Sequence, residues 1–166
     1  MTLVDTNKDV ENLTLTFTTE FTADVDRVWQ VWEDPRQLER WWGPPMWPAT
    51  FDTVGFVPGD IVRYYMTGPD GEKPRGWWRI LTMDAPRRFE FEDGFADENG
   101  EPLDVSDFAR CVATLETIDG GTRMTVVNTF TSAEQMNEMV KMGMVEGMAE
   151  ALGQIDGILA ESSVPR

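Results

Sequence analysis

The last third of the chain carries the feature that most limits its fold. Ser132, followed three residues later by Gln135, has the pattern of a capping box and opens a long helical stretch. Along it Val140, Met144, Met148, Ala151, Leu152, Ile155 and Leu159 recur at helical spacing, with Glu146, Glu150 and Asp156 on the other side. A stripe of that length has to be buried, and the segments before it read as a sheet. The residues predict a helix gripped by a sheet.

The preceding segments support that reading. Leu13, Leu15, Phe17, Thr19 and Phe21 alternate on one face, as in a half-buried strand. Asp24 can cap a helix running to about Trp32, and Asp34-Pro35 opens a second one that Gly43-Pro44-Pro45 ends. Turn signals then recur at Pro58-Gly59, Pro69-Asp70-Gly71, Asp84-Ala85-Pro86, Glu98-Asn99-Gly100 and Asp119-Gly120-Gly121. They separate strands expected at 60–67, 76–83, 88–95, 104–118 and 122–131, joined closely enough for an antiparallel meander. The expected architecture is α+β: a curved antiparallel sheet of about seven strands around a long C-terminal helix. Two short helices follow the first strand. One domain over 1–166 is expected, with an ordered core of about 13–160.

Charge and composition narrow the chemistry. Thirty acidic side chains against fourteen basic ones leave a net charge of −16, which opposes binding to nucleic acid or to an anionic membrane. The absence of histidine removes Ser-His-Asp and Cys-His nucleophiles and every His-ligated metal site. The single cysteine, Cys111, fits a reducing compartment. With no visible secretory signal and no apolar run near the ~20 residues of a membrane helix, a cytoplasmic location is expected.

The order of several short motifs resembles a known superfamily. Phe21-Thr22-Ala23, Val28-Trp29, Asp34-Pro35, Leu38 and Arg40-Trp41-Trp42-Gly43-Pro44 resemble the opening signature of START-like (SRPBCC, helix-grip) proteins. Pro58-Gly59-Asp60, Gly68-Pro69-Asp70-Gly71, Pro86-Arg87-Arg88-Phe89 and Gly121-Thr122-Arg123-Met124-Thr125 follow in the expected order. The nearer resemblance is to the branch homologous to the activator of the heat-shock-protein-90 ATPase, and it covers about 13–159. It implies a helix-grip with a mostly apolar internal cavity. Many members carry a His and a Gly-Trp pair in the last helix, where this chain has Met142-Gly143-Met144 and Gly147-Met148. Their polar lining therefore does not carry over.

Strand parity selects the inward side chains. Arg63, Arg79, Glu90, Arg110 and Arg123 mark the outer face. Val62, Tyr64, Met66, Trp78, Ile80, Phe89, Phe91, Ala109, Cys111, Ala113, Met124, Val126, Asn128 and Phe130 then face the helix. The small side chains of Ala109, Cys111 and Ala113, with Gly143 and Gly147 in the helix, either admit a bulky neighbour or leave room for a ligand. Asn128 is an amide among apolar neighbours, so its partner is protein, water or ligand, with Tyr64 as a second anchor. Trp41, Trp42 and Trp47 either pack the short helices or form a lip over the cavity. Met136, Met139 and Met142 suit packing, an adaptable surface or a subunit contact. The acidic residues of 90–107 lack calcium-loop spacing and read as a solvated hairpin tip. Glu92 or Asp93 is the one plausible catalytic carboxylate.

The candidate ligand-binding set is therefore Trp41, Trp42, Tyr64, Met66, Trp78, Phe91, Cys111, Asn128, Met139, Gly143, Met144 and Gly147. No catalytic residue, metal or cofactor is assigned. The leading expectation is a domain holding a small hydrophobic or aromatic, lipid- or polyketide-like, ligand. The alternatives are a protein-interaction role with a chaperone or a homodimer partner, and a cyclase or hydrolase working in the same cavity.

Overall fold

Strict alternation in Thr14–Phe21 makes a strand whose every second side chain is buried. In the computed structural model, which describes residues 2–161 apart from Thr53 and Gly55, that strand belongs to one open antiparallel sheet. Its eight strands are β1 (Thr2–Asp9), β2 (Thr14–Phe21), β3 (Ala49–Phe51), β4 (Ile61–Met66), β5 (Arg75–Asp84), β6 (Arg88–Phe95), β7 (Ala109–Ile118) and β8 (Gly121–Thr129). They lie in the order β1-β2-β8-β7-β6-β5-β4-β3. The strand beyond the expected seven is β1. Asp5 to Lys8 are exposed, so β1 has little apolar alternation to betray it and is held by backbone pairing to β2.

Between β2 and β3 come α1 (Val25–Glu33) and α2 (Pro35–Leu38). Their caps are as the sequence predicts: Asp24 accepts from the Arg27 N–H at 2.9 Å and Asp34 from the Arg36 N–H at 3.0 Å. Ser132 likewise accepts from the Gln135 N–H at 3.0 Å. The Gln135 side chain reaches one residue further back than in the standard box, accepting from the Thr131 N–H at 2.8 Å.

The C-terminal helical segment differs from the expected unbroken helix. It runs as α3 (Ala133–Lys141), α4 (Met144–Leu152) and α5 (Ile155–Leu159). Gly143 has φ +90, a left-handed conformation that ends one helical register and starts the next. Its companion Gly147 lies inside α4, so the two glycines do different jobs. The stripe is fully buried only in its second half, at Ala151, Leu152, Ile155 and Leu159, joined by Ile158. Val140, Met144 and Met148 are half-buried.

An aromatic block fills one end of the grip. Trp78 stacks on Phe91 with centroids 3.8 Å apart, Trp42 meets Trp78 edge-on at 4.8 Å, and Trp32 meets Trp41 edge-on at 4.7 Å. Trp41 is 0% and Trp42 6% exposed, and the Trp41 indole donates to the Val31 carbonyl at 2.8 Å. These two residues are core, not an open lip. Trp47 is half-buried, its ring lying against Gly68.

On the sheet, the inward set follows parity, with two exceptions. A bulge between Ile80 and Thr82 turns Met83 toward the core. Trp77 sits on the opposite face from Trp78 yet is fully buried, lying over Gly94, with the Arg79 guanidinium 5.7 Å from its ring centre. Elsewhere that face carries cross-strand ion pairs: Arg79 with Glu92 at 3.0 Å, and Arg123 with both Glu20 at 2.9 Å and Glu116 at 3.1 Å.

Two alanine substitutions test the broken helix. A Cβ on Gly147 would meet nothing within 4 Å, so Gly147→Ala stabilises by up to ~1 kcal/mol through helix propensity. Gly143→Ala forces a side chain into the left-handed region and destabilises by about 1 kcal/mol. Urea unfolding of the two variants measures both. A continuous helix would make both changes stabilising.

Candidate ligand-binding site

One polar cluster forms on the inner face because a glycine clears the way for it. Tyr64 on β4 pairs with Gly76 on β5, and a Cβ at Gly76 would lie 2.6 Å from the phenol ring. The ring therefore crosses β5, and its hydroxyl donates to Asp93 Oδ1 on β6 at 2.9 Å. The same ring stacks on Phe51 at 4.9 Å. Asn128 on β8 pairs with Cys111 on β7, which in turn pairs with Phe91 on β6. Four neighbouring strand regions thus bring Tyr64, Asp93, Cys111 and Asn128 to one place.

Above them is a partly open cavity of about 200 Å³. The sheet side is made by Tyr64, Met66, Asp93, Gly94, Phe95, Ala109, Cys111 and Asn128. The helical side is Met139, Met144, Gly147, Met148 and Ala151, and Trp42, Gly43 and Pro44 complete the wall. Gln154, between α4 and α5, donates to the Gly43 carbonyl at 2.7 Å and ties that wall to the helical segment. The half-buried Met144 and Met148 both border this space.

Of the twelve candidate residues, Trp42, Tyr64, Met66, Cys111, Asn128, Met139, Met144 and Gly147 border the cavity. Trp41, Trp78 and Phe91 belong to the aromatic block instead, and Gly143 is the helix break. Among the lining residues outside that set, Asp93 is the one with a polar side chain. Parity would have found it, since Phe89, Phe91 and Asp93 share a face. Glu92, the other carboxylate considered, is on the outer face with Arg79.

Burial dominates the electrostatics. Asp93 is enclosed by protein but keeps part of its surface open to the cavity, and burial pushes its carboxyl up to about 7, against the opposing hydrogen bond from Tyr64. Burial, and then the Asp93 charge, raise Tyr64 well above its ordinary range. The same two causes raise Cys111, which keeps its thiol neutral. The indole N–H groups of Trp42 and Trp78 act on the Tyr64 oxygen in the opposite sense, yet neither makes a hydrogen bond of good geometry. Asn128, 3% exposed, has no partner for its Nδ2 among the described residues. On the outer face burial alone would raise Glu90, but Arg110 and Arg88 outweigh it and hold the carboxyl below its ordinary value. Among the described residues no group of three or more Cys, Asp or Glu side chains is placed to hold a metal ion.

An open antiparallel sheet closed over by C-terminal helices, with a cavity between them, defines the START-like helix-grip class. Within it the chain belongs to the Activator of Hsp90 ATPase homolog 1-like family, whose model matches residues 22–160. It is similar to a protein from Arthrobacter aurescens solved by NMR, at 56% identity over 96% of this chain and 93% of that one, with a TM-score of 0.90. Protein Ms6760 from Mycobacterium smegmatis is 47% identical over 95% of this chain and 97% of its own, with a TM-score of 0.85. An AHSA1 protein from Silicibacter pomeroyi shares the fold at 17% identity, covering 89% of this chain and 97% of that one, with a TM-score of 0.72. No curated protein matches the chain significantly.

The Asp93 environment sets a pH dependence. Its folded-state value lies above the ordinary value of about 4, so the folded protein holds this proton more tightly than the unfolded one. The associated stability is complete below pH ~4 and is lost as pH rises toward ~7. Asp93→Asn removes that loss. The variant matches the wild type near pH 4 and exceeds it at pH 8, by a few kcal/mol at most because the cavity opens to solvent. Urea midpoints of the two proteins from pH 4 to 8 measure the difference. A constant offset would place Asp93 in an ordinary solvated environment.

Proposed function

We propose that this protein is a binding module for a small, mainly apolar ligand held between the sheet and the C-terminal helical segment. The observation that carries this reading is the cavity itself: its walls are mainly methionine, alanine, glycine and aromatic side chains, with Tyr64, Asp93, Cys111 and Asn128 as the polar side chains among them. A volume near 200 Å³ is slightly above the ~150 Å³ that accommodates benzene in an engineered core. The ligand is therefore about one or two rings in size. Met139, Met144 and Met148 give the helical side polarizable, adaptable contacts suited to an aromatic face.

Gly147 offers the test. Its missing side chain borders the cavity and a Cβ there is unopposed, so Gly147→Phe fills the space without a backbone clash. Native mass spectrometry of protein purified from its own host should find a small molecule bound to the wild type and absent from the variant. Equal ligand loads in two folded proteins, or none in the wild type, remove the proposal.

A protein partner is the second reading, supported by the family match and by an exposed apolar group beside the cavity. Phe95 is 45% and Leu103 66% exposed, and the Leu103 N–H donates to the Phe95 carbonyl at 3.0 Å. Purified heat-shock-protein-90 from the same organism should hydrolyse ATP several-fold faster with the wild type than with Phe95→Ser, Leu103→Ser. An unchanged rate removes that reading, and sedimentation velocity shows whether the patch is covered by a second copy. Cyclase or hydrolase chemistry needs an acid and a base converging on substrate. The described lining offers Asp93 and Tyr64, which are hydrogen-bonded to each other.

A further inference from the structure

The cavity lining holds buried donors that lack acceptors. Among the described residues, Asn128 Nδ2 is buried with no hydrogen-bond partner, and so is the Trp42 Nε1 of the adjoining wall. Leaving a buried donor unpaired is costly, so a ligand that accepts from one gains affinity by doing so. The Tyr64 hydroxyl hydrogen is already committed to Asp93. Among the described residues no Lys or Arg lines the cavity, and Asp93 is the carboxyl group present. An anionic ligand would find no counter-charge there and would face a carboxyl group, at a desolvation cost that an apolar wall cannot offset.

We infer that the ligand is a small neutral aromatic carbonyl compound whose oxygen accepts a hydrogen bond from Asn128 Nδ2. This rests on the ligand-binding reading above and adds to it the class of the ligand. The ring occupies the methionine-lined space under α4, and the carbonyl points at the sheet. Carboxylic acids of the same size, ionised near neutrality, meet no cation among the described lining residues. Burial keeps the Asp93 carboxyl largely protonated on the acid side of neutrality, so a ligand there meets a neutral lining. The titratable groups facing Asp93 are Tyr64 from β4 and Cys111 from β7, both held neutral by burial.

Acetophenone, ethylbenzene and benzoate are matched in size and test the inference directly by NMR titration of the full chain at pH 6. Acetophenone should bind about tenfold more tightly than ethylbenzene, the worth of one good hydrogen bond, and benzoate most weakly. It should also shift the Asn128 side-chain NH₂ signals, which ethylbenzene leaves in place. Asn128→Leu should bring acetophenone down to the level of ethylbenzene while ethylbenzene keeps its affinity. The wild-type NH₂ signals decide the matter even where that variant fails to fold. Equal binding of ketone and hydrocarbon overturns the carbonyl assignment, means that a resident water serves Asn128, and leaves the apolar-ligand reading standing. Tightest binding of benzoate overturns the assignment too. Binding of none of the three overturns both readings.

Discussion

The structure depends on the contact between Trp78 and Phe91 and on the ring cluster built around it. Trp32, Trp41 and Trp42 come down from the short helical region, and Phe51, Trp78, Phe89 and Phe91 come up from the sheet. These rings fill one end of the grip so fully that α1, α2 and the sheet are held together there. The other end is lined by unbranched methionine, by alanine and by glycine, which cannot fill the same width. The empty space is thus a consequence of where the large rings were spent, and Trp42 is the residue that belongs to both ends.

A second dependence runs through Gly76. Without a side chain at that position the phenol of Tyr64 lies across β5 and meets Asp93 two strands away. The pair shares a hydrogen bond in a place where a free carboxylate would be poorly solvated. That is why a chain with thirty acidic residues keeps one of them beneath an apolar roof. On the outer face Glu90 illustrates the opposite solution, a sunken carboxylate kept charged by two arginines.

Much of this was legible in the chain. Alternation placed Leu15 and Phe17 inward, caps at Asp24, Asp34 and Ser132 located the helix starts, and glycine turns separated the strands. Parity named Tyr64, Cys111 and Asn128 together because these strands keep their alternation up to the cavity. What was hidden has physical causes. β1 is polar on its exposed side chains and owes its place to backbone pairing. The break at Gly143 depends on a left-handed φ, and the same residue inside a helix would leave the periodic pattern unchanged. Whether Trp41 and Trp42 pack the short helices or form a lip stayed open in the chain, because a cluster of tryptophans does not reveal which way each ring turns. Asp93 was obscured by the acidic run that follows it, where neighbouring carboxylates are solvated.

The ion pairs on the outside of the sheet have a meaning for its inside. Arg79 faces Glu92 across β5 and β6, and Arg123 faces Glu20 on β2 and Glu116 on β7. Individually such exposed pairs add little to stability. A slip of one residue, however, would turn every side chain to the opposite face, driving these charges into the aromatic block and the cavity lining out to water. The exterior charges therefore proofread the interior. The geometry of a site that contains almost no charge is kept in alignment by charges that never touch it.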